Sequence, residues 1–221
     1  MCPHISDEMI RTGILDGIKQ GMREFSEYAG ALTVVRNGGN ELAFKSFMLG
    51  RIEEHTKCFA FTESDRRRVD ATLRCADCGE ARGIFEFKHN FLSQAGTHVP
   101  RERRDAISKL SNKQSQGCLG FYVHVVVELK GHHESRLAKI HNEVPGLTKY
   151  KRFLSESERS NLMKILVSNL GQSALKSCEI SAPEGDNAGS VLHCWLFELR
   201  DGELVPSANV QLADRDVQFL G

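Results

Sequence analysis

Three observations predict an α/β fold for this 221-residue chain. Apolar residues recur with helical period over about residues 6–28, 40–55, 101–115 and 155–170. Short β-branched and aromatic runs fill the intervals, and the middle of the chain reads helix, three strands, helix, strand, before a β-rich tail. The length allows one domain, or one domain with a small appendage, and a sizeable core. Lys+Arg and Asp+Glu both number 29, so there is no global basic signature of a nucleic-acid coating protein, although a local basic groove remains compatible with that balance. Seven cysteines at irregular spacing read as reduced thiols or metal ligands, which points to a cytoplasmic setting. No apolar run reaches the roughly 18 residues that a membrane span needs, and the N-terminus MCPHISDEMIRTG lacks the basic-then-apolar pattern of a signal peptide, so no membrane partner is expected.

Each element has its own signal. Ser6, with Asp7 and Glu8 behind it and Met9, Ile10, Ile14, Ile18 and Met22 at helical spacing, predicts a capped amphipathic helix to about Tyr28. Asn40 opens a second helix, NELAFKSFMLGRIEEH, with Leu42, Phe44, Phe47, Met48 and Ile52 on its apolar face. KCFAFT (57–62), RVDATLR (68–74) and GIFEFK (83–88) then read as strands joined by hairpin-length linkers. Pro100 precedes RERRDAISKLSNKQ, a helix with Ile107 and Leu110 inward. The run CLGFYVHVVVEL predicts a strand buried on both faces. Ser155 and Glu158 form a capping box for a helix ending near Leu170-Gly171. LKSCEIS and VLHCWLFEL follow as strands, and Asp201-Gly202 predicts a tight hairpin turn into ELVPS. The expected organisation is an N-terminal helical segment (1–39), a core (40–131) and an α+β extension (132–221) packed on it.

The chemistry concentrates around residues 66–90. On a strand, side chains alternate faces, so Glu86 and Lys88 share one face while Phe85 and Phe87 take the other. Asp70 falls in the preceding strand, and antiparallel pairing across CADCGEA brings it near both. Two carboxylates and an ammonium at one sheet edge suit a hard divalent cation, with an attacking water oriented by the lysine.

This D-x15-E-x-K pattern, Asp70, Glu86 and Lys88, resembles the signature of the PD-(D/E)xK nuclease superfamily, with Val69 in place of the proline. The resemblance extends to element order over residues 40–129, the αβββαβ core of restriction-endonuclease-like proteins. It implies a mixed sheet flanked by helices, magnesium or manganese held by Asp70 and Glu86, and DNA as substrate. Lys88 would activate water. A glutamate from the first core helix often completes the metal shell, and Glu41 fits that position best, with Glu53 and Glu54 as the fallback. A second E-x-K, Glu128 and Lys130, lacks an aspartate-bearing strand before it and ranks lower.

Two basic clusters, Arg66, Arg67 and Arg68 ahead of Asp70 and Arg101, Arg103 and Arg104 at a helix start, are candidates for DNA phosphates, with Lys109 and Lys113 continuing the second. Arginines at a helix N-terminus oppose its dipole unless an anion binds there. Cys75 and Cys78 form half of a zinc site, which His55 and Cys58 complete if the first hairpin brings residues 55–58 level with Cys75. Plain reduced thiols are the simpler alternative. His124 and Trp195 read as core. The extension would supply substrate selection or a homodimer surface. The competing function is a non-catalytic module on the same fold that binds nucleic acid or protein.

Overall fold

The Ser6 hydroxyl accepts from the Met9 N–H and starts the first helix where the sequence places its cap. In order, the elements of the computed structural model are α1 (Asp7–Glu27), α2 (Asn40–Thr56), β1 (Cys58–Thr62), β2 (Ala71–Cys75), β3 (Ala81–Phe91), α3 (Val99–Lys113), β4 (Leu119–Lys130), α4 (Glu156–Leu170), β5 (Lys176–Ile180), β6 (Gly189–Arg200) and β7 (Glu203–Pro206). A 3₁₀ turn, Leu92–Gln94, links β3 towards α3. The structure describes residues 5–31, 35, 40–62, 69–114, 118–130, 154–171, 174–180 and 189–207.

The strands among the described residues join one seven-stranded sheet in the order β1-β2-β3-β4-β6-β5, with β7 also on β6. Among the described residues only β3 and β4 pair in parallel; the other pairs are antiparallel. A parallel neighbour needs a crossover, and α3 supplies it. The fold is therefore α/β, a mixed sheet flanked by helices. Strand β4 alternates Phe121, Val123, Val125 and Val127 into the layer beneath α1 and α2 with Tyr122 and Val126 into the layer beneath α3 and α4, so both its faces are buried.

Several expectations need adjustment. Asp70 lies one residue ahead of β2 and not inside it, while β3 runs on to Phe91 and takes in His89 and Asn90. The third helix starts at Val99, with Pro100 in its first turn, where a missing N–H costs nothing. The tail strands extend the first sheet: β6 pairs β4 from Gly120↔Leu199 to Lys130↔Gly189. Asp201 (φ 50°) and Gly202 (φ 81°) make the two-residue turn between β6 and β7.

Candidate active site

Strand β2 begins at Ala71, opposite Phe85, while β3 continues past that point beside β4. The edge of β3 beyond Phe85 would thus present unpaired backbone groups. Asp70 fills this notch: its N–H donates to Phe85 O (2.8 Å) and its Oδ2 accepts from the Phe87 N–H (2.7 Å). The carboxylate is fixed by the backbone of the strand that carries Glu86 and Lys88.

Glu86 points to the α3 face and is wholly buried. Its Oε1 receives two ammonium groups, Lys88 at 2.7 Å and Lys109 from α3 at 2.5 Å. Its Oε2 is buried with no hydrogen-bond partner. Lys88 Nζ also stands 3.7 Å from Asp70 Oδ2 and donates to Phe87 O at 2.7 Å. Lys45, from α2, lies 3.6 Å from Asp70 Oδ1. Asp70, Glu86 and Lys88 are brought together as the strand alternation predicts.

The electrostatics follow from burial. Burial alone would push Lys88 down, but Glu86, Asp70 and Glu41 outweigh it and hold the ammonium above its ordinary pKa. Burial pushes the Glu41 carboxyl up; Lys88 and Lys45 act against this while Asp70 and Glu86 reinforce it, which places Glu41 in the field of the cluster. The fallback glutamates are engaged elsewhere: Glu53 Oε1 accepts from the Ala60 N–H (2.6 Å), and Glu54 pairs with Arg51. Behind Lys88, burial also raises Glu102, whose Oε1 lies 3.4 Å from Asn90 Nδ2.

Comparison of the chain with protein-family models, curated proteins and solved structures finds no match. The functional reading rests on these side chains.

Hard oxygen donors suit magnesium, and the residues present fit it: Glu86 Oε2 is a buried carboxylate oxygen with no hydrogen-bond partner, and Asp70 is a second carboxylate held at the same notch. Among the described residues no three His, Cys, Asp or Glu side chains are grouped as a metal cage. Magnesium does not require one, since one or two carboxylates with waters complete its shell. The zinc quartet is only half assembled. Cys58 and Cys75 are direct cross-strand partners, as the hairpin register predicts, but His55 Nε2 is 2.7 Å from Gln20 Oε1 and Cys78 is exposed.

The basic set divides. Arg66, Arg67 and Arg68 lie outside the described residues. Arg101, Arg104 and Lys113 are exposed on α3. Two assignments are corrected. Arg103 turns inward: it donates to Asn169 O (2.8 Å) and Leu204 O (3.3 Å) and stacks over Phe197. Lys109 belongs to Glu86 and not to the outer basic side of its helix. Glu128 of the second E-x-K is buried against Arg159 (2.8 Å) and His193 (3.1 Å), so that copy is an ion-pair cluster at the far end of β4.

Sequence reasoning missed Lys45, which stands one turn after Glu41 on α2 and so shares its face, a legible i,i+4 signal. It also missed the pairs Glu102–Asn90 and Tyr122–His124, the latter at 2.5 Å between Oη and Nδ1. Those are contacts between residues of separate elements or of a strand read only as core. Among the described residues, no helix is long and apolar enough to cross a membrane.

Proposed function

We propose that the chain is a divalent-metal-dependent nuclease that hydrolyses DNA phosphodiester bonds on a restriction-endonuclease-like core spanning residues 40–131. The observation that carries this reading is the notch where β2 leaves β3, at which Lys88 Nζ stands 2.7 Å from Glu86 and 3.7 Å from Asp70. Asp70 and Glu86 would hold magnesium or manganese, with Glu41 completing the shell. The metal, when bound, lowers the pKa of a coordinated water and neutralises charge developing on a phosphate. Lys88, held as the ammonium, donates a hydrogen bond that orients the attacking water. Lys45, 3.6 Å from Asp70, would add positive charge for a phosphate entering the notch. The reduced cysteines fit a cytoplasmic setting.

A second reading has its own support. Glu86 Oε1 is bridged by two lysines, so the cluster already neutralises itself and resembles a structural ion-pair knot. On that reading the fold is a non-catalytic binding module, and Asp70→Asn alters stability with no activity to lose.

The deciding experiment is nicking of supercoiled plasmid by the purified chain with magnesium or manganese, beside Lys88→Ala and Asp70→Asn prepared identically. The nuclease reading expects nicking that chelator abolishes and each substitution lowers about a hundredfold or more. No cutting of plasmid, linear or single-stranded DNA with either metal transfers the case to the binding module.

A further inference from the structure

Two large aromatic side chains lie in the open on the outermost strand. Phe59 and Phe61 of β1 are 56% and 53% exposed. They alternate with Cys58 and Ala60, which pack into the layer beneath α1 and α2, so both rings project from the opposite face. Register carries that face across the sheet. Phe61 opposes Thr72, Thr72 opposes Ile84, and Ile84 belongs to the α3 layer, as do the side chains of Glu86 and Lys88 two and four residues further along β3. The exposed rings and the carboxylate notch therefore share one face of one sheet. Phe61 sits at the end of the hairpin nearer Asp70, and Phe59 is the direct partner of exposed Arg74.

A single exposed apolar residue needs no explanation. Two phenylalanines on one face of an edge strand are a liability that edge strands usually avoid. Residues two apart on a strand are separated by about 6.7 Å, roughly twice the base-to-base rise in a duplex strand, which suits bases that have left the helical stack. Aromatic faces beside a cation, leading towards a lysine-lined notch, are the elements by which proteins hold unpaired nucleic acid.

We infer that Phe59 and Phe61 form a stacking shelf for unpaired bases of single-stranded DNA, with Arg74 beside it for the backbone, feeding the strand towards Asp70, Glu86 and Lys88. The inference rests on the nuclease reading for the direction in which the strand runs, and it names single-stranded DNA, or the frayed arm of a fork, as the substrate class.

The test is a fluorescence titration of the full chain, in chelator so that nothing is cut, with a single-stranded oligodeoxynucleotide carrying 2-aminopurine. Stacking should quench the probe. Phe59→Ala/Phe61→Ala should weaken binding about thirtyfold or more, and Phe59→Trp/Phe61→Trp should retain it. Circular dichroism and melting of the variants, equal to the parent, establish that these surface changes leave the fold intact. Alanine variants that bind and quench like the parent overturn the shelf, and do so even where the parent nicks plasmid, leaving the nuclease reading standing. Quenching that alanine abolishes in a chain that cuts no DNA keeps the shelf and removes the nuclease. A parent that is dimeric in sedimentation, becomes monomeric in the alanine variant and binds DNA in neither form also overturns it, and assigns the shelf to a second copy of the chain.

Discussion

Lys88 is flanked by two histidines, the half-buried His89 next along the strand and the wholly buried His124 directly opposite on β4. Burial pushes His89 down to about 4, and burial with the nearby charges of His89 and Lys88 pushes His124 down to about 3, from an ordinary 6.5. Both rings are neutral in the fold and protonate in the unfolded chain below pH 6.5. Their contribution to stability is complete above that pH and is lost as pH falls through the window down to about 4 for His89 and about 3 for His124. His124 Nδ1 is bonded to the Tyr122 hydroxyl, so both partners must be replaced to avoid stranding one of them. Urea unfolding of Tyr122→Phe/His124→Leu beside the parent, from pH 7.5 to 4, should show the variant losing stability less steeply below pH 6.5, by about 1.4 kcal/mol per pH unit, one proton's worth. The raised carboxyls of Glu41 and Glu102 titrate with opposite sign but in both proteins, so they cancel in the difference. Parallel curves would mean that His124 is hydrated or charged in the fold.

Strand alternation and hairpin register made the Asp70, Glu86 and Lys88 grouping legible, because both are local rules that a sequence expresses directly. The Ser155 capping box and the Asp201-Gly202 turn were legible for the same reason. Lys109 on Glu86 was not, since it depends on how α3 lies across the sheet. Helix packing shows the same limit. Gly13, Gly17 and Gly21 form a stripe on α1, visible as spacing, but only the fold shows that α2 crosses over it. A Cβ at Gly17 would stand 2.7 Å from backbone atoms of Ile52, which cannot move aside as a flexible side chain would. Gly50, inside α2, has nothing within 4 Å of such a Cβ. Gly17→Ala should therefore destabilise by about 1–3 kcal/mol despite the better helix former, while Gly50→Ala should stabilise by about 0.5–1 kcal/mol. Thermal unfolding of the two variants measures both signs, and a stabilised Gly17→Ala would refute the close crossing.

At the scale of the molecule, the sheet does not stop where the motif-bearing segment ends. Strand β4 lies between β3 and β6 and is buried on both faces, so without β6 one edge and much of its side-chain surface would meet water. The closing contacts span the chain: Arg11 of α1 holds buried Glu198 of β6 through its Nε and Nη2 at 2.9–3.1 Å, and Trp195 and Phe197 of β6 complete the layer that α3 and α4 cover. The register of such non-local pairing leaves no trace in sequence, which is why the tail reads only as an extension packed on the core. It follows that residues 1–130 alone should not fold. Expressed by itself, that segment should aggregate, because it presents an unpaired, β-branched edge in place of the β4–β6 pairing. The full chain should unfold in urea as one transition, coincident by far-ultraviolet circular dichroism and by Trp195 fluorescence, a probe that lies in β6 and so reports on the tail while circular dichroism reports on the whole. Two separated transitions, or a soluble 1–130 fragment that melts cooperatively, would instead make the tail a unit docked on a self-sufficient core, and would free the notch at Asp70 from any dependence on the strands beyond β4.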